Sequence, residues 1–519
     1  MPLALQMAAA WYSLMPLEEL VERVERNLGM MVLQDHTPYK SPRQQTIRAT
    51  FKTLWDILTE EEQNTLTRLA VFPSVFSADA ARKITSISIF LLDGLVQRAL
   101  LWRLPNQRYQ SHPLWQQFLH EQVSPAILQD LKKAFIRYYA AFSKRLADHW
   151  MHVPRQTSQD AVALELDNLR QAWRWALESQ DFAHVDEMLF LLHHYYEHNG
   201  WFQEAYTTFT NLLAFLDPTL HEESSSVHHR LYGHTLLMIG LYTYHLGLYD
   251  ESLCSLQRSK AVLDVHGTKE DAWRLQESLG MLYRARGEYE LGFASIQESK
   301  RLAEEIGNPP FLADSLSNLA ILHYSTGKMY QAEKYFREAL EIYRQENDEV
   351  RITAMLNNLG NVAYEHGNYE QARLYLISCL EMAEKSEGQT LLAAVLDSLG
   401  KVFIAMGDYE QAWAYLHRGL YICKKTNATP LAMELLINTG YLLTSLGDLE
   451  TATLLWRFVV KHPNTPASQY ERGKTALEKH GISLRRDEEA LPSLDGLLHI
   501  IRTAMKERLT PANEAAENV

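Results

Sequence analysis

Small and apolar residues recur along the middle of the chain with a fixed spacing of 40 residues. The glycines that mark this period are Gly247, Gly287, Gly327, Gly367, Gly407 and Gly447. Around each of them the chain repeats a small residue seven positions before, an aromatic or large residue two after, a small residue five after and a large apolar residue nine after. Six copies that agree at these positions predict a stacked helical solenoid.

One repeat shows why this pattern indicates a pair of helices. Leu359 and Val362 lie at helical spacing, and Gly367 follows as a residue that can adopt the left-handed conformation at a helix end. A second helix is predicted from Tyr369 to Ala383. The small residue at Gly360 allows the two helices to approach each other closely.

This order of residues resembles the tetratricopeptide repeat (TPR) signature over residues 231–460. The 40-residue period is similar to that of kinesin light chain and of bacterial signalling proteins. The resemblance implies an all-α fold with a right-handed TPR α-solenoid. Residues 124–230 are predicted to be a helical linker and atypical first repeats, residues 461–506 to be C-terminal capping helices, and residues 507–519 to be a disordered tail.

The N-terminal part of the chain has a different pattern. Helices are predicted over Thr46–Ile57, after the capping box at Thr59, over Ala78–Ile84 and over Ile89–Ala99. Apolar segments on either side of Pro105-Asn106-Gln107 then predict a β-hairpin. Helices followed by a hairpin are typical of a winged helix, which we predict for residues 46–123.

A second resemblance covers nearly the whole chain. The series Pro2-Leu3-Ala4-Leu5, TIRATFKTLWDILTEEEQNTLTRLAVFPSVFSADAA and Arg108-Tyr109-Gln110-Ser111-His112 is similar to the back half of the nucleotide-binding module of bacterial STAND signalling ATPases of the NB-ARC type. The resemblance implies nucleotide-sensing roles for Pro2, beside the adenine, and for His112, at the β-phosphate. It also implies that residues 1–45 are a remnant helical segment of that module.

Two features depart from that family. Pro113 stands where an acidic residue is expected, and no G-x-x-x-x-G-K-[ST] phosphate loop occurs in the sequence. Without that loop and a magnesium ligand, phosphates are neither bound nor hydrolysed. We therefore expect the regulatory and sensor part of such a protein, with no cofactor, and a separate nucleotide-binding domain is one expected partner.

Composition narrows the class of protein further. The 519 residues carry a formal net charge of −14, which disfavours a basic nucleic-acid-binding protein. Three cysteines are too few for a disulfide framework and fit a reducing compartment. The sequence contains no apolar run of the roughly 18 residues that a membrane helix needs, so we expect a cytoplasmic protein without a membrane partner.

Two motifs allow a more specific function, but neither is favoured. His194-Tyr195-Tyr196-Glu197-His198 matches the H-x-x-E-H pattern of some zinc hydrolases, but no third ligand can be named, so we expect no metal site. The helix predicted at Phe90–Ala99 could enter DNA as a recognition helix. It offers only one basic side chain, Arg98, and one acidic side chain, Asp93. One basic side chain cannot neutralise several phosphates.

A polar position in the first helix of each repeat points to function. Nine residues before the repeat glycines stand Met238, Ser278, Asn318, Asn358, Ser398 and Asn438. We call this position the asparagine slot; helical geometry places it on the inner surface of the superhelix. An asparagine amide both donates and accepts hydrogen bonds, so it can hold an extended peptide backbone. In related repeat families such as kinesin light chain an asparagine at this slot has that role.

The predicted peptide-binding residues are the slot and its neighbours on the same face. They are Asp314, Ser317, Asn318, Tyr324, Asn357, Asn358, Asn361, Glu365, Asp397, Ser398, Lys401, Asn438 and Tyr441. Because Asp314, Glu365 and Asp397 outnumber Lys401, a basic or neutral segment is the expected ligand. The sequence thus predicts a non-enzymatic interaction or signal-sensing scaffold. The alternative is the regulatory half of a STAND-type ATPase or transcription regulator that acts with a missing nucleotide-binding domain.

Overall fold

The computed structural model describes Glu22 and residues 51–149, 155–217, 225–386, 388–482 and 492–509. Contacts divide the chain into two compact units, Met1–Leu192 and His193–Val519. The predicted remnant segment lies outside the described residues apart from Glu22, and residues 510–519 of the predicted tail also lie outside them. Residues 507–509 of that tail are helical.

The first unit opens with the predicted winged helix. Residues 51–57 are helical, and the elements that follow are α1 (Glu60–Leu69), β1 (Phe76–Ser77), α2 (Ala78–Thr85), α3 (Ile89–Gln97), β2 (Trp102–Leu104), β3 (Arg108–Gln110) and α4 (Pro113–Gln122). The three short strands form an antiparallel sheet in the order β1-β3-β2. The predicted capping box forms, with the Thr59 hydroxyl accepting from the Glu62 N–H and the Glu62 carboxylate accepting from the Thr59 N–H.

Three long helices complete the first unit: α5 (Pro125–His149), α6 (Arg155–Glu178) and α7 (Phe182–Asn199), which continues into the second unit. A buried ion pair joins the winged helix to α6. Arg108 donates to Glu165 at 2.6 Å, and Glu165 also accepts from Tyr139 at 2.9 Å and from Asn168 at 2.8 Å. Because these hydrogen bonds satisfy the carboxylate, the charge can be buried at this junction.

The second unit is a series of helix pairs. Its elements are α8 (Phe202–Leu216), α9 (Ser226–His245), α10 (Tyr249–His266), α11 (Lys269–Ala285), α12 (Tyr289–Ile306), α13 (Pro309–Ser325), α14 (Met329–Gln345), α15 (Glu349–Glu365), α16 (Tyr369–Ser386), α17 (Gln389–Met406), α18 (Tyr409–Thr426), α19 (Thr429–Ser445), α20 (Leu449–Lys461), α21 (Ala467–Lys479) and α22 (Leu494–Leu509). Each helix packs chiefly on the next one along the chain, which is the arrangement of an α-solenoid. The predicted all-α fold is confirmed.

The repeat glycines have the role that their spacing predicts. Gly367 has φ 77°, and its N–H donates to the Tyr364 carbonyl while the next N–H donates to the Ala363 carbonyl, which closes the end of α15. Gly360, the small residue of its repeat, faces the second helix of its pair. A Cβ added there would lie 2.9 Å from Leu376 Cγ, so only glycine permits this approach.

The two ends of the second unit meet. A Cβ at Gly247 would lie 2.8 Å from the Asn464 carbonyl oxygen, and one at Gly287 would lie 3.0 Å from Ala467 Cβ. The turns of early repeats therefore contact the segment that leads into α21. The array curves until its closing helix reaches its first regular repeats.

One helix among the described residues is long and apolar enough to cross a membrane by composition, namely α17. Half of its 18-residue window is buried inside the protein. Leu392, Val395 and Leu399 pack within the solenoid, which accounts for its apolar character as that of a core helix.

Candidate peptide-binding cavity

The curvature of the second unit encloses a cavity of about 1480 Å³. Its walls are the first helices of successive repeats, α13, α15, α17 and α19, together with the α11–α12 turn. The closing helix α21 completes it from the other side. Because α21 comes late in the chain and the α11–α12 turn comes early, the cavity exists only through the closure of the array.

Most of the predicted binding residues line this cavity. Ten of the thirteen do so: Tyr324, Asn357, Asn358, Asn361, Glu365, Asp397, Ser398, Lys401, Asn438 and Tyr441. The other three, Asp314, Ser317 and Asn318, do not. Asp314 instead accepts hydrogen bonds from Tyr343 at 2.6 Å and from Arg351 at 2.8 and 3.0 Å. This carboxylate therefore joins α13, α14 and α15 rather than facing the cavity.

The asparagines of the slot are in different environments. Asn438 is only 1% exposed; it donates to Asp397 at 2.7 Å and accepts from Arg472 at 3.0 Å. Asn318 donates to the buried carboxylate of Glu277. The amide of Asn438 is therefore not available to a ligand in this structure, because both its donor and its acceptor are used within the protein.

Asn358 differs from the other two slot asparagines. It is half-buried, it lines the cavity, and its amide forms no hydrogen bond to any residue in the described part of the chain. Next to it, the Oδ1 of Asn357 is buried and has no partner among the described residues. Both amides thus retain hydrogen-bonding capacity, which buried polar groups rarely do.

A network of polar side chains covers one wall. Asn361 donates to Ser398 at 2.8 Å, and the Lys401 ammonium lies 3.4 Å from Asn361 Oδ1 and 3.9 Å from the Glu365 carboxylate. The same ammonium sits 4.9 Å from the centre of the Tyr364 ring. Burial lowers the pKa of Lys401, and the field of Arg472 lowers it further.

Six charged residues of the lining were missed from the sequence: Arg284, Arg286, Glu434, Glu471, Arg472 and Lys479. Glu434 of α19 and Arg472 of α21 form an ion pair that also holds Asn438. Glu434 could have been found, because it precedes the slot residue Asn438 by four positions and so lies on the same helix face. Arg472 lies outside the regular period, so no spacing pointed to it.

These additions change the predicted charge of the cavity. The lining contains five basic residues, Arg284, Arg286, Lys401, Arg472 and Lys479, and four acidic residues, Glu365, Asp397, Glu434 and Glu471. Burial raises the pKa of Asp397 to about 7, which further reduces the negative charge at neutral pH. The acidic surplus expected from the sequence is therefore not present in the cavity.

The predicted nucleotide-sensing residues belong to the first unit. Pro2 lies outside the described residues. His112 is the N-cap of α4; its Nδ1 accepts from the Leu114 N–H at 3.2 Å, and its ring packs edge-on to Trp102. Burial lowers the pKa of His112.

The helix considered for DNA recognition is α3, which is observed close to its predicted bounds. Arg98 directly after it is paired with Glu62 at 2.9 Å, and Asp93 faces Arg103 at 3.5 Å. Its one base is thus already neutralised by an acid, so binding to nucleic acid stays disfavoured.

Comparison with known proteins supports the solenoid. Residues 259–507 match the family described as the MalT-like TPR region, so the predicted tetratricopeptide character is confirmed. No curated protein matches the chain.

Several solved structures have a similar arrangement of helices. A Signal Transduction ATPase with Numerous Domains (STAND) protein with a tetratricopeptide repeat sensor, from Pyrococcus horikoshii, is 15% identical, covers 95% of this chain and 68% of its own, and has a TM-score of 0.47. NprR in complex with its cognate peptide NprX is 18% identical and has a TM-score of 0.42; the match covers 67% of this chain and 89% of NprR. A Rap protein complexed with Competence and Sporulation Factor is 14% identical and has a TM-score of 0.43; the match covers 67% of this chain and 99% of the Rap protein. At these identities, and with TM-scores below 0.5, no role of this chain follows from the comparison.

Proposed function

We propose that the second unit is a non-enzymatic scaffold that binds a peptide or protein segment in its cavity, in the cytoplasm. The observation that carries this proposal is Asn358, which lies on the wall of a large cavity and whose amide bonds to no residue in the described part of the chain. Beside it, the buried Oδ1 of Asn357 also lacks a partner among the described residues. Amides can bond to the carbonyl and N–H groups that every peptide presents.

The size of the cavity supports a peptide rather than a small molecule. Its volume of about 1480 Å³ exceeds the roughly 300–1,000 Å³ of typical small-molecule clefts. Acidic and basic side chains both line it, and they lie close together: Lys401 of α17 is near Glu365, and Arg472 of α21 is paired with Glu434. We therefore propose a segment that carries both charges or none, rather than a strongly basic one.

The test begins with a bound segment found by pull-down and narrowed to a synthetic peptide, followed by calorimetry. Asn358→Ala should weaken binding by about 5- to 150-fold, because each lost hydrogen bond to a buried partner costs ~1–3 kcal/mol. Folding stability should change little, since this amide bonds to no described residue.

Asn318→Ala is the matched control. It removes the same amide from the same slot of the preceding repeat, but Asn318 does not line the cavity and bonds to Glu277. We expect this variant to unfold at a lower urea concentration than the wild-type protein, while its folded form binds the peptide with unchanged affinity. Equal affinity of Asn358→Ala and the wild-type protein, with both folded, would contradict the proposal.

A second candidate function involves a nucleotide-binding partner. The first unit contains the helices and the hairpin that we predicted to be a winged helix, and its α3 carries Phe90, which is 89% exposed. An exposed aromatic residue beside Ile89 could pack against a separate nucleotide-binding domain. Reading the DNA upstream of the Met1 codon for an in-frame phosphate loop would test this candidate. The chain by itself should not bind ATP below ~10 μM, or about −7 kcal/mol.

A further inference from the structure

Three potential metal ligands lie together on the last turns of α7. They are His193, His194 and Glu197, whose potential metal-binding nitrogen and oxygen atoms all lie within 4.8 Å of one another. His193 Nε2 is 3.8 Å from Glu197 Oε2, and His194 Nδ1 is 3.5 Å from the same oxygen. These positions follow from helical geometry, since residues three and four apart share one face.

One of the imidazoles is held in place from outside the helix. His193 is buried, and its Nδ1 lies 2.6 Å from the hydroxyl of Tyr242, a residue of α9 that is itself buried. This contact uses one ring nitrogen and directs the other, Nε2, towards Glu197. In metal sites the second nitrogen of a histidine ligand commonly has such a partner, which sets the orientation of the ring.

Two titratable residues of neighbouring helices interact with the cluster. His245 of α9 interacts electrostatically with Glu197, and so does Arg274 of α11. The guanidinium of Arg274 opposes the binding of a cation. We therefore expect weaker binding than at a closed structural zinc site.

From this geometry we propose that His193 Nε2, His194 Nδ1 and the Glu197 carboxylate bind a divalent transition metal ion of the zinc type. Two imidazoles and a carboxylate are a ligand set that zinc accepts, and three protein ligands leave a fourth position open. Zinc bonds of about 2.0–2.2 Å require the ligand atoms to move closer together. His194 and Glu197 can make this movement, because their side chains are 26% and 50% exposed.

This set differs from the sequence motif. The H-x-x-E-H pattern pairs His194 and Glu197 with His198, whereas the structure replaces His198 by His193. The distinction provides an internal control, because His198 lies on the same helix with the same side chain outside the group.

The experiment is a calorimetric titration of Zn²⁺ into the full chain without an affinity tag, after treatment with a chelator. Wild-type protein should bind one ion more tightly than any background sites. His194→Gln and Glu197→Gln should each weaken that site at least tenfold, and His198→Gln should leave it unchanged. Circular dichroism confirms that each variant is folded. We avoid replacing His193, since its burial makes a folding defect hard to separate from ligand loss.

Cobalt provides a second readout. Co²⁺ bound at this site should give visible absorption of a four- or five-coordinate ion, which His194→Gln and Glu197→Gln should abolish. The absence of a stoichiometric site below about 100 μM would overturn the proposal. So would an equal loss in His198→Gln, which would indicate unspecific histidine binding. Neither result would affect the proposed peptide cavity, which contains none of these residues.

Discussion

At the scale of single residues, the recurring asparagines have two uses. Asn318 donates to Glu277 and Asn438 donates to Asp397, in each case to an acid 41 residues earlier, so the bond joins neighbouring repeats. For Asn358 the residue 41 positions earlier is Ser317, and the Asn358 amide bonds to none of the described residues. The 40-residue period predicted the inward face of the slot. It did not predict these partners, because they depend on how far one repeat is offset from the next.

Glu277 makes the stability of the second unit depend on pH. It is buried and accepts hydrogen bonds from Ser315 at 2.8 Å and from Ser299 and Asn318, yet burial raises its pKa to about 7. The unfolded pKa is near 4.5. The folded state therefore binds this proton more tightly, and the resulting stability is complete below about pH 4.5 and is lost as the pH rises through about 7.

We expect Glu277→Gln to remove this dependence. Between pH 5 and pH 8 the free energy of unfolding of the wild-type protein should fall relative to that of the variant by up to about 3 kcal/mol, from a shift of roughly 2.5 pH units. Urea unfolding at several pH values measures it. Glu304→Gln, which removes an exposed carboxylate paired with Lys300, should keep the wild-type slope. Parallel pH profiles for wild type and Glu277→Gln would contradict the assignment.

At the scale of helices and strands, local signals predicted the elements well. The helix predicted over Tyr369–Ala383 is observed as α16, and the hairpin strands appear as β2 and β3. The strand β1 was not predicted, because Phe76 and Ser77 form only two residues of strand and pair with the distant β3. Elements with a repeating apolar pattern can thus be read from the sequence, whereas a strand defined only by its tertiary partner cannot.

The packing within one pair can be tested at Ala372, which is completely buried in α16. Ala372→Leu should overpack the contact with α15 and lower the free energy of unfolding by ~1–3 kcal/mol. Hydrogen exchange should show the largest loss of protection in α15, α16 and α17, because each repeat contacts mainly its neighbours. Gln371→Leu places the same leucine side chain at the adjacent exposed position and should have little effect. A loss of protection spread evenly over the whole chain would be inconsistent with this local role.

At the scale of the whole second unit, closure of the array could not be predicted from the sequence. Gly247 and Gly287 lie against Asn464 and Ala467, residues far apart along the chain, and the cavity depends on these contacts. Each repeat adds a small rotation, and only the sum over all repeats brings the ends together. The period predicts which neighbouring helices pair, but it does not predict the total rotation accumulated over all repeats. For this reason the cavity residues of α21 were missed, although α21 itself was expected as a capping helix.

Closure should make the unit more cooperative than an open solenoid, and Arg472 tests this. It lies on the closing helix and bonds to Glu434 and to Asn438 at 3.0 Å. Arg472→Ala should leave these partners partly unpaired, at a cost of ~1–3 kcal/mol. In an open array the loss of hydrogen-exchange protection would be confined to α19–α21. In the closed array it should extend to the turns at Gly247 and Gly287.

The control for that experiment is Arg337→Ala. Arg337 forms an exposed pair with Glu333 at 2.7 Å within α14, away from the cavity lining, so its loss should change stability by less than about 0.5 kcal/mol. If Arg472→Ala lowers protection only between residues 429 and 482, the end-to-end contacts contribute nothing to stability. If protection also falls at the early turns while Arg337→Ala leaves them unchanged, then closure couples the two ends. A segment bound in the cavity would in that case stabilise both ends at once.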